Sequence, residues 1–359
     1  MKMFRRNTGF KVMAGAALLC ILAFAAGCVI SPRRIVGGGS GGTSGGPTPT
    51  PTPGTGAAGK LYVANLGSNS IIRFDNASTA DANLAPGGVI SGAQTQLNSP
   101  QHIFVDAAAD NLYVANQGGG SVLVFDAAST RSGNVPPARS IGGASTGLLL
   151  PADVAVDSGK NLLYVADSRD VFVFSSASTV SGNIPFTRDI QVGFIIAAMF
   201  LDSTNDRLFL ADSGANAINV YDNASTLNLK AAPSRVVTGA ATQLNQPSGI
   251  GIDAVGKLIV SNSGNNSITV YSNAAAANGA LVPVIIISGA NTTLNLPSQI
   301  AVNRSNTRVE VFAANVNSGN VPIFSDLGAT SGNIAPSRNI TGASTGLTGA
   351  HGITLDTTR

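Results

Sequence analysis

A phrase of the form Leu-Tyr-Val-Ala-Asn recurs along the chain, and its period limits the possible folds more than any other feature. "LYVAN" ends at Asn65 and again at Asn116, "LYVAD" at Asp167, "LFLAD" at Asp212, "LIVSN" at Asn262 and "VFAAN" at Asn315. The spacings are 51, 51, 45, 50 and 53 residues. Self-similarity at such a period marks a propeller, a solenoid or an array. Each unit holds four short apolar runs separated by turn residues. The first run ends in Asp106, Asp157, Asp202, Asp253, Asn303 or Asp356, and the second is the phrase itself. The third reads "SVLVFD" or "AINVYD", and the fourth reads "ARSIGG" or "SRVVTG" before a recurring "GAxT". A helical solenoid would need apolar residues at 3.6 spacing, and leucine-rich or β-helix solenoids have shorter periods. Four strands per unit predict an all-β fold, a six-bladed β-propeller with four-stranded blades.

The order of the runs predicts how the ring shuts. The first unit starts directly on its second run at Lys60, and its missing first run stands at the other end of the chain as "HGITLD", His351 to Asp356. Blade 1 is thus expected to be closed by the C-terminal strand, which removes the open edge. Strand alternation sends Leu61 and Val63 toward one neighbouring blade and Tyr62 and Ala64 toward the other. Composition agrees. Glu310 is the single Glu, charged residues make up 11%, and Gly numbers 42, whereas helical proteins usually carry Glu and Lys on their wet faces.

The unit resembles the NHL and YVTN families of β-propeller repeats. The likeness rests on "PSGIGID" and "KLIVSNSGNNSITVY" with their counterparts, and spans residues 60–359. It implies the propeller fold and leaves function open, because these rings serve as lyases, lactone hydrolases and binding modules.

Ahead of the repeats, "MKMFRRNTGFKVMAGAALLCILAFAAGC" has a basic start, an apolar run from Val12 to Ala26 and small residues before Cys28. That is the plan of a secretory signal peptide, and the run falls short of the about 20 residues a membrane-spanning helix needs. "FAAGC" resembles the bacterial lipobox, with Ala25 where Leu is commonest. The resemblance implies acylation of Cys28, and Val29 rather than Asp at the next position favours the outer membrane. Residues 1–27 are thus expected to be a lipoprotein signal peptide. Residues 28–59, rich in Gly, Ser and Pro-Thr, read as a tether, and residues 60–359 as the propeller. Cys20 lies within the apolar run, so no disulfide is expected. The formal charge of +3 includes Lys2, Arg5, Arg6 and Lys11; without them 17 basic residues face 18 acidic ones. A net charge of −1 gives no case for nucleic acid.

Standard catalytic motifs are missing: no phosphate loop, HExxH, CxxC or GxSxG occurs. Among the enzymes this repeat resembles, the lyase branch implies several His and the lactone-hydrolase branch an acidic calcium site in the channel; two His and a lone Glu, Glu310, on a second strand disfavour both. No cofactor is implied, and folding is expected to need none. The recurrent Asp and Asn at the ends of the first and second strands read as turn caps. The position four residues before the first-strand Asp breaks the repeat, carrying His102, Asp153, Ala198, Gly249, Gln299 and Gly352 in turn, with His351 one place earlier in blade 1. His102, Asp153 and His351 would ring one mouth of the channel, either as solvated polar groups or as a ligand or metal subsite. Blade 3 is irregular: its second-to-third loop is two residues shorter, and "QVGFIIAAMF" replaces "GAxT". Arg169 and Asp170 fall on the same face as the mouth. The sequence is read as a lipid-anchored binding or scaffold module outside the cytoplasm. A protein or small-molecule partner is expected on that face. The alternatives are a propeller enzyme acting at the mouth and a structural or adhesive surface protein.

Overall fold

A computed structural model describes residues 59–303, 309–325, 327 and 331–359. The signal segment, Cys28 and nearly all of the tether lie outside the described residues. Within them, six antiparallel sheets form the blades of a β-propeller. The innermost strands are Ala350–Asp356, Pro100–Asp106, Pro151–Asp157, Ile196–Asp202, Pro247–Ile252 and Pro297–Asn303, for blades 1 to 6 in order. The repeated phrase forms the second strand of each blade, from Lys60–Asn65 in blade 1 to Glu310–Asn315 in blade 6. Closure follows the expected plan. Lys60–Asn65 pairs with Ser70–Asp75 on one side and with Ala350–Asp356 on the other. Lys60 stands opposite both Asp75 and Asp356, so the chain joins the ring on the face opposite the channel mouth.

The period-2 pattern explains the packing. Leu61 and Val63 are buried with Phe312, Ala314 and Ile323 of blade 6, whereas Tyr62 and Ala64 are buried with Ile103, Leu112 and Val114 of blade 2. The same division repeats at the other four seams. The core therefore consists of six inter-blade layers, each fed by alternate residues of two blades. A fully buried Leu, Ile or Phe contributes about 1.5–3 kcal/mol, and no blade can bury both faces alone.

Polar repeats hold the turns. Asp106 Oδ1 accepts from the amides of Ala108 and Ala109, and Asp253 Oδ1 from those of Val255 and Lys257, which is the local turn capping read from sequence. The Asn after the second strand does something less local. Asn116 Oδ1 accepts from Asn98 N, Asn65 Oδ1 from Thr348 N, and Asp167 Oδ2 from Leu149 N and Leu150 N. Each pins the connection that enters its own blade. In the "GAxT" connection the buried Thr closes a 3-10 turn: Thr95 Oγ1 donates to Gly92 O at 2.7 Å, and Gly92 has φ +109.

The outer strands are also covered. The connection from the next blade makes a parallel bridge to each of them: Ile90 to Gly133, Ile141 to Gly182, Val237 to Gly279, Ile287 to Gly332 and Ile340 to Ala82. At the seam between blades 3 and 4 the bridge lengthens into Leu229–Lys230, a fifth, two-residue strand on the sheet of blade 3. Such cover protects exposed strand edges from pairing with other chains. An Arg latch reinforces three seams. Arg139 Nη1 donates to Ala177 O and Val180 O, Arg188 Nη1 to Ala224 O and Leu227 O, and Arg338 Nη1 to Ala77 O and Ala80 O.

Candidate functional site at the channel mouth

Every innermost strand carries a register shift near its mouth end, between Pro100 and Ile103, Pro151 and Asp153, Ile196 and Ala198, Pro247 and Gly249, Pro297 and Ile300, and at Ala350–Gly352 beside Ala64/Asn65. Bulges re-aim side chains and occur beside active sites. Here they gather the residues that break the repeat.

His102 and Asp153 meet directly: His102 Nδ1 lies 2.8 Å from Asp153 Oδ2. Each residue is only 1% exposed, so neither is a solvated group at a funnel. Asp153 is fixed further by Val154 N on Oδ1 and Met199 N on Oδ2, both at 2.7 Å. With Oδ2 accepting, the hydrogen of His102 sits on Nδ1 and Nε2 is left as an acceptor. His102 Nε2 faces Ser298 Oγ at 3.2 Å, and His351 Nδ1 approaches the same hydroxyl at 3.4 Å. The two imidazole rings stand 5.3 Å apart at 41°. His351 keeps part of its surface accessible at the mouth, but desolvation, and secondarily His102, push its pKa down to about 3.

His102, Asp153 and His351 therefore converge, as the sequence suggests, but Ser298 joins them and the result is a hydrogen-bonded chain. An ion shared by His102, Asp153 and His351 would need Asp153 Oδ2, which is already taken by His102 and an amide. Among the described residues no three His, Cys, Asp or Glu side chains form a group that could hold a metal ion.

Gln299 works one level deeper. Its Oε1 accepts from Ile353 N at 2.7 Å and Ile103 N at 3.2 Å, and its Nε2 donates to Ile103 O at 3.2 Å. This crossbar joins blades 6, 1 and 2. Beyond it lies a cavity of about 260 Å³ in the channel, walled by first-strand residues such as Phe104, Val154, Phe200, Ile250, Val302 and Leu355. Arg169 and Asp170 are not part of the cluster. Arg169 Nη1 donates to Gly193 O, and Asp170 has its pKa raised by burial and by the charges of Asp189 and Asp167. They belong to the short turn of blade 3, which carries the connection into blade 4 through the bonds Val192 N to Arg169 O and Ile196 N to Ser168 O.

That turn is flanked by exposed apolar side chains. Leu149 is 75% exposed, Ile195 60%, and Leu150 is exposed beside them. Leu149 and Leu150 hang from Asp167, and Ile195 from the connection resting on Ser168, so the three border one turn on the mouth face.

Ser298 is the residue that sequence reasoning misses. The signal is indirect. Ser261 stands where the other five second strands have Ala, and its hydroxyl donates to Ser298 O at 2.6 Å. Ser248 Oγ likewise donates to Pro297 O at 2.6 Å.

The comparisons with known proteins establish the class and go no further. The chain is an all-β propeller. It is similar, at 13% identity and TM-score 0.58, to a chain in the crystal structure of a nidogen/laminin complex, over 83% of this chain and 97% of that one. It is similar, at 14% identity and TM-score 0.52, to a functionally unknown protein from Desulfotomaculum acetoxidans DSM 771, over 81% of this chain and 84% of that one. No protein-family model and no curated protein matches the chain.

Proposed function

We propose that this chain is a binding or scaffold module of the NHL/YVTN-like propeller type, lipid-anchored through Cys28 outside the cytoplasm and, in a Gram-negative cell, at the outer membrane. The observation that carries the binding role is the apolar border of Leu149, Leu150 and Ile195 on the mouth face, where blade 3 departs from the repeat. Contiguous exposed apolar surface on an otherwise polar rim marks a protein contact site. The neighbour from a nidogen/laminin complex supports protein binding as a use of such a ring. The anchoring reading rests on the sequence "FAAGC".

Two experiments test the two halves. Cys28→Ser removes the acylation site and moves the protein from the membrane to the soluble fraction, since stable anchoring takes more than one acyl chain; unchanged fractionation refutes anchoring. For binding, envelope proteins cross-linked to the wild type in cells are lost on Leu149→Asp/Ile195→Asp while the melting curve is unchanged. Equal cross-linking by the double variant removes the contact role from this face.

A further inference from the structure

The geometry points to Ser298 as an activated nucleophile, with His102 as its general base and Asp153 as the positioning residue, in a site that accepts a small uncharged carboxylic ester. This activity shares the mouth face with the contact site but does not rest on the contact role.

A serine hydroxyl is a weak nucleophile until an adjacent base takes its proton, and the base must be held in the right tautomer by a third group. Ser298 Oγ to His102 Nε2 is 3.2 Å and His102 Nδ1 to Asp153 Oδ2 is 2.8 Å. These are hydrogen-bond distances in the order hydroxyl, imidazole, carboxylate, drawn from blades 6, 2 and 3. Asp153 cannot swing away, because Val154 N and Met199 N hold both of its oxygens. His102 is equally fixed. Gly352 packs so close that a Cβ there would meet Gln101 O at 2.2 Å and His102 Cα at 2.9 Å. The backbone of the nucleophile is held by Ser261 and Ser248 through the carbonyls of Ser298 and Pro297.

The second imidazole does not compete. His351 is a poor base because burial and His102 depress its basicity, so the hydroxyl proton goes to His102. His351 Nδ1 can donate to the oxygen from its other side at 3.4 Å.

Size follows from the surroundings. At the level of Ser298 the other innermost strands present Gln101, Ala152, Ala197, Ser248 and His351, all partly accessible. Three of these five are no larger than Ser, so blades 3 to 5 leave room at the mouth. Ser298 is itself 5% exposed, which admits a compact acyl group and excludes a long chain. No charged side chain lies among these neighbours to favour a charged acid.

The chemistry balances without a cofactor. Ser298 Oγ bonds to the ester carbonyl carbon as its proton passes to His102 Nε2. The tetrahedral adduct collapses, the bond from carbon to the alkoxy oxygen breaks, and the leaving alcohol takes the proton back from Nε2. Water then repeats the sequence on the acyl-serine, releasing the carboxylic acid and restoring Ser298.

A fluorophosphonate probe tests the idea on the folded full-length protein, since it reports an activated serine directly: Oγ bonds to phosphorus, fluoride leaves and the proton goes to His102. Peptide mass spectrometry is expected to find the label on Ser298. Ser298→Ala should abolish labelling with an unchanged melt, and His102→Gln should slow it at least about 100-fold, the usual span of a general base. If His102→Gln does not fold, the urea-unfolded wild type takes its place as the control and should not be labelled. Hydrolysis of p-nitrophenyl acetate should fall to the buffer rate in Ser298→Ala. No label on Ser298 in the native wild type, equal labelling without His102 or in urea, or ester hydrolysis unaffected by Ser298→Ala overturns the proposal.

Discussion

Arg338 is the residue through which closure of the ring can be weighed. Its Nη1 donates to Ala77 O at 2.7 Å and Ala80 O at 3.0 Å, which lie in blade 1, while its Nη2 donates to Glu310 Oε1 at 2.7 Å. Its guanidinium also stands 5.6 Å from the Phe312 ring centroid. Arg338→Ala removes the latch and leaves Glu310, whose side chain is 14% exposed, with Asn303 and Ser325 as its hydrogen-bond donors among the described residues. Hydrogen bonds to charged groups contribute about 1.5–3 kcal/mol each, and breaking a buried ion pair costs about 3–5 kcal/mol. These terms overlap, and both partners touch solvent, so the expected loss is about 3 kcal/mol. In a domain of this size that lowers Tm by about 5 °C. Arg139 makes the same two carbonyl contacts at an internal seam, with Tyr113 Oη in place of a carboxylate. Arg139→Ala should therefore cost less, about 1.5 kcal/mol. Adding Glu310→Gln to Arg338→Ala should recover about 1 kcal/mol, because the carboxylate has lost its Arg338 partner. Urea titration with a shared m-value compares the variants. A loss below about 0.5 kcal/mol for Arg338→Ala, or a smaller loss than for Arg139→Ala, refutes the reasoning.

Three further outcomes are expected. His351 is held neutral in the fold, with a pKa near 3 against 6.5 unfolded; the unfolded chain binds the extra proton, so this contribution is complete above about pH 6.5 and fades as pH falls toward 3. Since His351 touches solvent, the loss between pH 7 and 4.5 is about 1–2 kcal/mol, and urea titrations of wild type and His351→Asn should show the variant lacking that part of the slope. Deleting Ala350–Arg359 exposes the second edge of Lys60–Asn65 and empties the seam filled by Ile353, whose loss alone costs about 2–5 kcal/mol; calorimetry should show no native-like cooperative melt, and an unchanged melt disproves closure by that strand. Thr242→Val keeps the volume of the buried side chain but removes its hydrogen bond to Gly239 O and the acceptor for Leu244 N; a Tm drop of about 2–3 °C is expected, from about 1–2 kcal/mol.

The fold was legible because repetition multiplies a weak signal. One "LYVAN" is a short apolar run that could be many things, while six at a near-constant period, with the first unit lacking the run that the last supplies, leave a closed ring. The division of Leu61 and Val63 from Tyr62 and Ala64 between two neighbours followed from alternation alone, whereas which pair meets blade 6 and which blade 2 is visible only in the structure. The site was legible only in part. His102, Asp153 and Gln299 announced themselves by breaking a position that is elsewhere Ala or Gly. Ser298 did not, because a Ser before Gln299 looks like the Ser before Gly249, and its meaning depends on two bulges and on contacts reaching from blade 6 to blade 2. The hydrogen bonds of Asn65 and Asn116 to the incoming connections were likewise hidden, since their partners lie 18 residues away in blade 2 and 283 in blade 1.

The double pairing of Lys60–Asn65 has a mechanical consequence. The strand that continues from Gly59 is clamped between two antiparallel ladders, one from each end of the chain. A pull on the preceding segment, directed along the strand, loads both ladders in shear, so many hydrogen bonds must yield together. An outer strand such as Gly88–Ile90, three residues long, would instead peel bond by bond. The point where the chain enters the ring is thus built to resist shear along the strand rather than to unwind from an edge.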